Sequence, residues 1–211
     1  MRVFGIDPGS DRTGYGCIDS DGRSHHLVLC GAVHAGAGAT FPEQLSIIYR
    51  ELSSLIAEHR PECVAIENIF YATNARSALK LGHARGVAML AAIEAGVLVV
   101  EYTPAEIKRA VVGYGRAAKP QVGRMVKLLL GLDKIPTPHD AADALAVAIC
   151  HLHHGKGTPK GVPYDSPRNH GKGTPKGLPY DRSGTATKAP GKGSKAATSW
   201  RHYKPVTRAT R

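Results

Sequence analysis

The sequence predicts an α/β fold, a mixed five-stranded sheet with helices on both faces. Three observations carry this. Short β-prone runs separated by turn signals crowd the first 34 residues; further β-prone runs then alternate with helical periodicity; and from Pro104 onward only helical periodicity returns. The resulting order, βββαβαβααα, suits stacked layers better than a bundle or a barrel.

Arg2 to Asp7 (RVFGID) reads as a buried strand closed by Pro8-Gly9-Ser10, where glycine permits a tight turn. Thr13 to Asp19 (TGYGCID) alternates and is followed by Ser20-Asp21-Gly22, so a hairpin leads into a third strand over His26 to His34. Leu45, Ile48, Tyr49, Leu52, Leu55 and Ile56 then fall on one helical stripe, with Pro42 near its start and Pro61 beyond its end. Cys63 to Glu67 (CVAIE) is β-prone and follows a helix, which implies a crossover and a strand parallel to the first. Asn74 to Ala95 is helical again. Its surface of Ala78, Leu79, Gly82, Gly86, Ala88, Met89, Ala92 and Ile93 suits close approach, in the core or against a second subunit. GVLVVEY at 96–102 gives the fifth strand, and Pro104 opens a helix to about Val112. Lys119 to Leu130 places Val122, Met125, Val126 and Leu129 inward, and after Pro136 and Pro138 comes an alanine-rich helix, His139 to His151 (HDAADALAVAICH).

Composition divides the chain into a domain at 1–154 and a basic low-complexity tail at 155–211. The first part holds 15 Lys+Arg and 15 Asp+Glu, the tail 13 and 2, so the net charge of +11 sits in the tail. In the tail HGKGTPKGVPYD at 154–165 recurs as HGKGTPKGLPYD at 170–181, a 16-residue repeat with too few copies for a solenoid. Such a composition is expected to be disordered, either a solubilising extension or a salt-sensitive attractor of nucleic acid, with Trp200 and Tyr203 available to stack on bases. Within the domain, residues 76–127 are basic (9 Lys+Arg, 3 Asp+Glu) between acidic flanks, which suits a polyanionic substrate. The scattered cysteines 17, 30, 63 and 150 imply no disulfide framework. No signal peptide is evident, and no apolar run approaches the ~20 residues that span a bilayer. A cytoplasmic protein with no membrane partner is expected.

Asp140 and Asp143 stand three residues apart and share a helix face. Alone, such a pair also reads as a solvated face or a complement to the helix dipole. Asp7 ends the first strand, where it could equally cap the I-D-P-G turn, and Glu67 ends the fourth, where an unpaired acid is costly. Together they suit Mg²⁺, a hard cation with oxygen ligands, and the two-metal arrangement that cleaves phosphodiesters. His139 could serve as ligand, proton carrier or simple first-turn polar residue. His151, His153 and His154 end the helix, where imidazolium suits the dipole.

Four segments together carry a resemblance: I-D-P-G around Asp7, IEN-x-FYATNARSALKLGHARG from Ile66 to Gly86, VVGYGRAAKPQV at 111–122, and DAADALAVA at 140–148. Over residues 1–153 the chain resembles the RuvC family of bacterial Holliday junction resolvases. The resemblance implies an RNase H-like fold and a homodimer that nicks two opposing strands of four-way junction DNA, leaving ligatable ends, in recombination and repair. It implies Mg²⁺, two ions per site with Mn²⁺ as a substitute, and branch-migration motor proteins of the RuvA and RuvB type as partners. It assigns catalysis and metal binding to Asp7, Glu67, Asp140 and Asp143; some relatives carry histidine at the place of Asp140, which leaves the role of His139 open. It places Phe70 at the junction centre with Tyr71 beside it, although both also suit a core, and Lys108 and Lys119 near the scissile phosphate. Arg76, Lys80 and Arg85 follow helical spacing and could hold DNA backbone or form a solvated face. The tail has no counterpart in the family core.

Three alternatives compete. A YqgF-like nuclease acting on ribosomal RNA precursors shares the D-x-G strand and late aspartate but lacks the NARSALKLGHARG segment. An actin-like or sugar-kinase ATPase needs a duplicated domain and far more chain. A silent junction-binding protein is disfavoured by the presence of all four acids.

Overall fold

The computed structural model describes residues 1–36, 38–68 and 74–154; the expectations for Phe70, Tyr71 and the tail lie outside them. The elements are β1 (Arg2–Asp7), β2 (Arg12–Ser20), β3 (His25–His34), α1 (Phe41–His59), β4 (Cys63–Glu67), α2 (Ala75–Glu94), β5 (Leu98–Tyr102), α3 (Pro104–Val112), α4 (Lys119–Leu129) and α5 (His139–His154). The order and types are those the sequence predicts, with α5 running on past His151. Local chemistry sets the starts. Thr103 and Glu106 cap α3 reciprocally with Pro104 in its first turn, and the Asn74 side chain accepts from Ser77 N at the head of α2. Gly113, at φ 81, ends α3 in the left-handed conformation.

The sheet runs β3-β2-β1-β4-β5. β1, β2 and β3 pair antiparallel, while β4 lies parallel to β1 and β5 parallel to β4. The crossover through α1 therefore puts β4 beside β1, with Ile6 opposite Ile66. One residue further on, Asp7 and Glu67 end their strands side by side.

Strand alternation then decides which way they face. Phe4, Ile6, Val64 and Ile66 pack on one side with Ile48, Leu52, Ile56, Ala84, Ala88 and Ala92 of α1 and α2. Val3, Cys63, Ala65, Val100 and Tyr102 pack on the other with Ile107, Val122, Val126, Leu145 and Ile149 of α3, α4 and α5. Asp7 is in phase with Val3, and Glu67 with Cys63 and Ala65, so both acids belong to the α5 side.

Close approach of α5 depends on glycines in the strands beneath it. A Cβ on Gly5 would fall 2.0 Å from the carbonyl oxygen of Ala144 and 2.9 Å from Ala148 N; one on Gly14 would fall 2.0 Å from the Asp140 carbonyl oxygen. Gly5 pairs with Gly16 and Asp7 with Gly14 across the β1–β2 ladder. The side-chain-free track under α5 thus runs beside Asp7.

The small-residue surface of α2 serves two faces. Ala84, Ala88, Ala91 and Ala92 are buried in the core, whereas Leu79 and Leu90 are 64% and 48% exposed. With Leu45, Ala78, Gly82, His83, Gly86 and Val87 those leucines line an open apolar groove. No helix among the described residues is long and apolar enough to cross a membrane.

Candidate active site

At the ends of β1 and β4 a cleft of about 230 Å³ is lined by Asp7, Glu67, Lys108, Lys119 and Asp143, with Pro104, Ile107, Val122, Ala146 and Val147 as apolar wall. Three elements supply its acids. β1 and β4 deliver Asp7 and Glu67 by register, and α5 delivers Asp143. Asp143 is the one residue from Ala141 to His151 that is not buried, an acid set in the apolar stretch from Ala141 to Cys150.

Charge is unbalanced here. Burial, reinforced by the neighbouring Glu67 and more weakly by Asp143, pushes Asp7 up to about 9. Lys119 acts in the opposite direction and donates to Asp143 Oδ2 at 3.0 Å. Its own pKa is raised chiefly by that hydrogen bond. A buried carboxyl that holds its proton far above the usual range, beside two further carboxylates, is the oxygen-rich surrounding a hard divalent cation suits. The residues present therefore fit such an ion. Among the described residues no three His, Cys, Asp or Glu side chains are already closed around one point.

Asp140 sits one turn before Asp143 and does not line the cleft. Its backbone lies against Gly14, the cross-strand partner of Asp7, where a Cβ added to Gly14 would also meet Asp140 Cβ at 3.1 Å. His139 is exposed as the first residue of α5.

The basic candidates separate. Lys108 and Lys119 reach the cleft. Arg76 is exposed in the first turn of α2, and Lys80 Nζ stands 5.4 Å from the centre of the Phe41 ring. Arg85, which helical spacing offered as a DNA-backbone contact or part of a solvated face, has its guanidinium bonded to Glu101 on β5. His151 also departs from expectation. It is buried, with Nδ1 2.8 Å from the Tyr102 hydroxyl, and burial pushes its pKa down, so imidazolium is disfavoured despite the helix end.

Two kinds of site-supporting residue were not singled out from the sequence. Thr13, fully buried, donates through Oγ1 to Gly9 O at 2.7 Å and closes the turn after Asp7. Gly5, Gly14 and Gly16 admit α5. Glycine inside a β-run is a signal of close backbone approach, and it was available in RVFGID and TGYGCID.

Comparison with known proteins agrees with this architecture. The family model described as crossover junction endodeoxyribonuclease RuvC matches residues 3–151. A crossover junction endodeoxyribonuclease RuvC of Koribacter versatilis is 58% identical over 154 residues, covering 72% of this chain and 93% of the relative. The RuvC structure of Thermus thermophilus superposes with a TM-score of 0.71 at 36% identity, covering 77% of this chain and all of that one. The T. thermophilus RuvC in complex with a Holliday junction substrate gives 0.70 at 34%, with the same coverage. The fold is thus RNase H-like, and the chain belongs to the RuvC family of crossover junction endodeoxyribonucleases.

Proposed function

We propose that this chain resolves four-way DNA junctions as a homodimer, hydrolysing one phosphodiester in each of two opposing strands, with Asp7, Glu67, Asp140 and Asp143 as its catalytic and metal-holding acids. The observation that carries the reading is the convergence of Asp7, Glu67 and Asp143 with Lys108 and Lys119 in one cleft. That the T. thermophilus relative was solved with a Holliday junction supports the substrate.

Divalent cations, Mg²⁺ with Mn²⁺ as a substitute and two per site, would activate water and offset charge on the phosphate. Asp7, Glu67 and Asp143 would hold the cation in the cleft, and Asp7, which keeps its proton without one, would have to be ionised to do so. Lys119 lets go of Asp143 and turns to the phosphate, and Lys108 approaches the same group from α3, so positive charge meets the charge that develops during cleavage. Ile107, Val122 and Val147 keep one wall of the cleft apolar, which strengthens these interactions by lowering the local dielectric. Asp140 supplies its carboxylate from the preceding turn, with His139 as an auxiliary at its side. Phe70 and Tyr71 stack on unpaired bases, and Arg76 and Lys80 follow the DNA backbone.

Two symmetric nicks need two sites related by a two-fold axis. The apolar groove of α2 is the surface we assign to that pairing, since exposed leucines beside glycines admit a matching helix. Motor proteins of the RuvA and RuvB type would move the branch point to sequences that the enzyme cuts. Four free cysteines, three of them buried, fit a reducing compartment, the cytoplasm. The basic tail at 155–211 adds salt-sensitive, sequence-independent attraction to DNA.

The test is cleavage of synthetic junction, flap, duplex and RNA substrates with Mg²⁺, Mn²⁺ or chelator. Paired nicks at opposing strands of the junction, dependent on the cation, are expected. Equal cutting of duplex and junction overturns the reading.

A further inference from the structure

Glu101 of β5 touches the residue next to Glu67 from the side of the sheet away from the cleft. β4 and β5 pair with Ile66 opposite Glu101 and Glu67 opposite Tyr102. Glu101 therefore projects with Ile66 toward α2, while Glu67 projects into the cleft. On the α2 side Glu101 accepts a hydrogen bond from Arg85 Nη2 and another from Asn68 Nδ2, the latter at 3.2 Å. Asn68 is held a second time, through its backbone N–H, which donates to Tyr102 O at 2.8 Å. The residue that follows Glu67 is thus clamped to β5 by side chain and backbone together.

The clamp is partly sheltered from water. The Arg85 and Glu101 side chains are 24% and 33% exposed, and Arg85 Nε is buried without a hydrogen-bond partner among the described residues. Removing charges from water offsets much of what their attraction supplies, so such a pair contributes little net stability. What it does supply is geometry. The guanidinium presents a fixed planar fork, Glu101 receives it with one oxygen, and the other oxygen fixes the Asn68 amide.

We infer that Glu101 is a positioning residue for the cleavage reaction: anchored by Arg85 of α2, it holds Asn68 and thereby the strand end that aims Glu67 into the cleft. The inference rests on the reading of Glu67 as a catalytic acid. It also gives Arg85 work that keeps it from the DNA, and it joins the helix assigned to the dimer to the acid assigned to the chemistry.

The experiment uses the full-length protein and three readouts: single-turnover cleavage of a synthetic junction with Mg²⁺, junction affinity in chelator, and Mn²⁺ affinity by calorimetry. Asn68→Ala removes the side-chain bond from Glu101 to the residue after Glu67, keeps the backbone bond to Tyr102, and leaves the Arg85–Glu101 pair in place. We expect its cleavage rate to fall roughly 10–100-fold, as for other residues that orient a metal-binding acid, with weaker Mn²⁺ binding and unchanged junction affinity. Asn68→Gln, which keeps an amide donor, should return part of the rate. Glu101→Ala should show the same pattern with a lower melting temperature; if it does not fold, Asn68→Ala decides. A merely structural clamp would lower the melting temperature and leave cleavage by the folded enzyme intact, and that result overturns the inference. So does a loss of junction affinity that matches the loss of rate. Glu67→Gln serves as the control: if it still cleaves, the catalytic reading itself has failed, and if it is inactive while Asn68→Ala is normal, only the positioning role has.

Discussion

Lys119 Nζ lies 3.0 Å from Asp143 Oδ2, and the two differ sharply in setting: the lysine side chain is 80% exposed and the aspartate 24%. An ion pair with one partner so exposed contributes at most about 1 kcal/mol. Lys119 can therefore leave Asp143 at small cost when a phosphate or a cation enters. Its place at the head of α4 keeps it at the cleft whichever partner it has.

Lys119→Met should accordingly separate stability from chemistry. The melting temperature should barely move, and single-turnover cleavage should fall about 10²-fold, the usual cost of removing one donor to developing charge. Parallel measurement of melting and of cleavage at saturating junction checks this. A variant as fast as the parent would remove Lys119 from the reaction.

Asp7 gives a pH dependence with a definite sign. Its folded-state pKa is raised from 3.8 to about 9. Without metal the folded protein keeps this proton through neutral pH, whereas the unfolded chain has lost it, so stability is full below about pH 4 and declines as pH rises toward 9. Asp7→Asn escapes that decline. In chelator its melting temperature should match the parent at low pH and exceed it by several degrees near pH 8, since about 1 kcal/mol corresponds to roughly 2–4 °C at this size. Cleavage should be abolished, and Mg²⁺ should narrow the gap by stabilising the parent alone. Identical melting curves across the pH series would contradict the burial of an acid at this position.

The glycine track under α5 makes a packing prediction. Gly5→Ala drives a methyl into the Ala144 carbonyl oxygen and Ala148 N, both rigid helix backbone. A cost of about 1–3 kcal/mol or more follows from such overpacking, and cleavage should fall with it because Asp140 and Asp143 ride on the displaced helix. Ala144→Leu and Ala148→Leu, at positions fully buried against the same strands, should act alike. Thermal melting together with cleavage below the melting range tests all three, and undiminished activity in every variant would exclude tight seating of α5 as the means of placing the acids.

These residues also mark what could be read in advance. Strand alternation and a single crossover sufficed to bring Asp7 and Glu67 together, because the periodicity of a strand fixes side and the crossover fixes neighbour. The acids of α5 followed from helical spacing. Spacing says which residues share a face but not what stands opposite, so the Glu101 partner of Arg85 was invisible: the two are 16 residues apart on different elements. It also does not say how far along the helix the cleft extends, and Asp140 lies just outside it. For His151 a surface rule met a buried site, and desolvation outweighed the helix dipole. The glycines were visible as residues, but which backbone they admit is a tertiary fact.

The remaining prediction concerns the α2 groove. Leu79 and Leu90 are exposed apolar side chains flanking Gly82 and Gly86 on a helix whose opposite face is filled by alanines. Leu79→Glu with Leu90→Glu would place four like charges across a two-fold contact, so the variant should sediment as a monomer where the parent is a dimer. Neither leucine lines the cleft, so each monomer should keep its metal-dependent chemistry. Loss of dimerisation should instead appear as uncoupled nicking: single nicks accumulate on a supercoiled cruciform before linear product forms. If the doubly substituted protein remains a dimer, the two copies meet elsewhere, and if it is monomeric yet still linearises the cruciform in one encounter, paired cleavage does not need this interface.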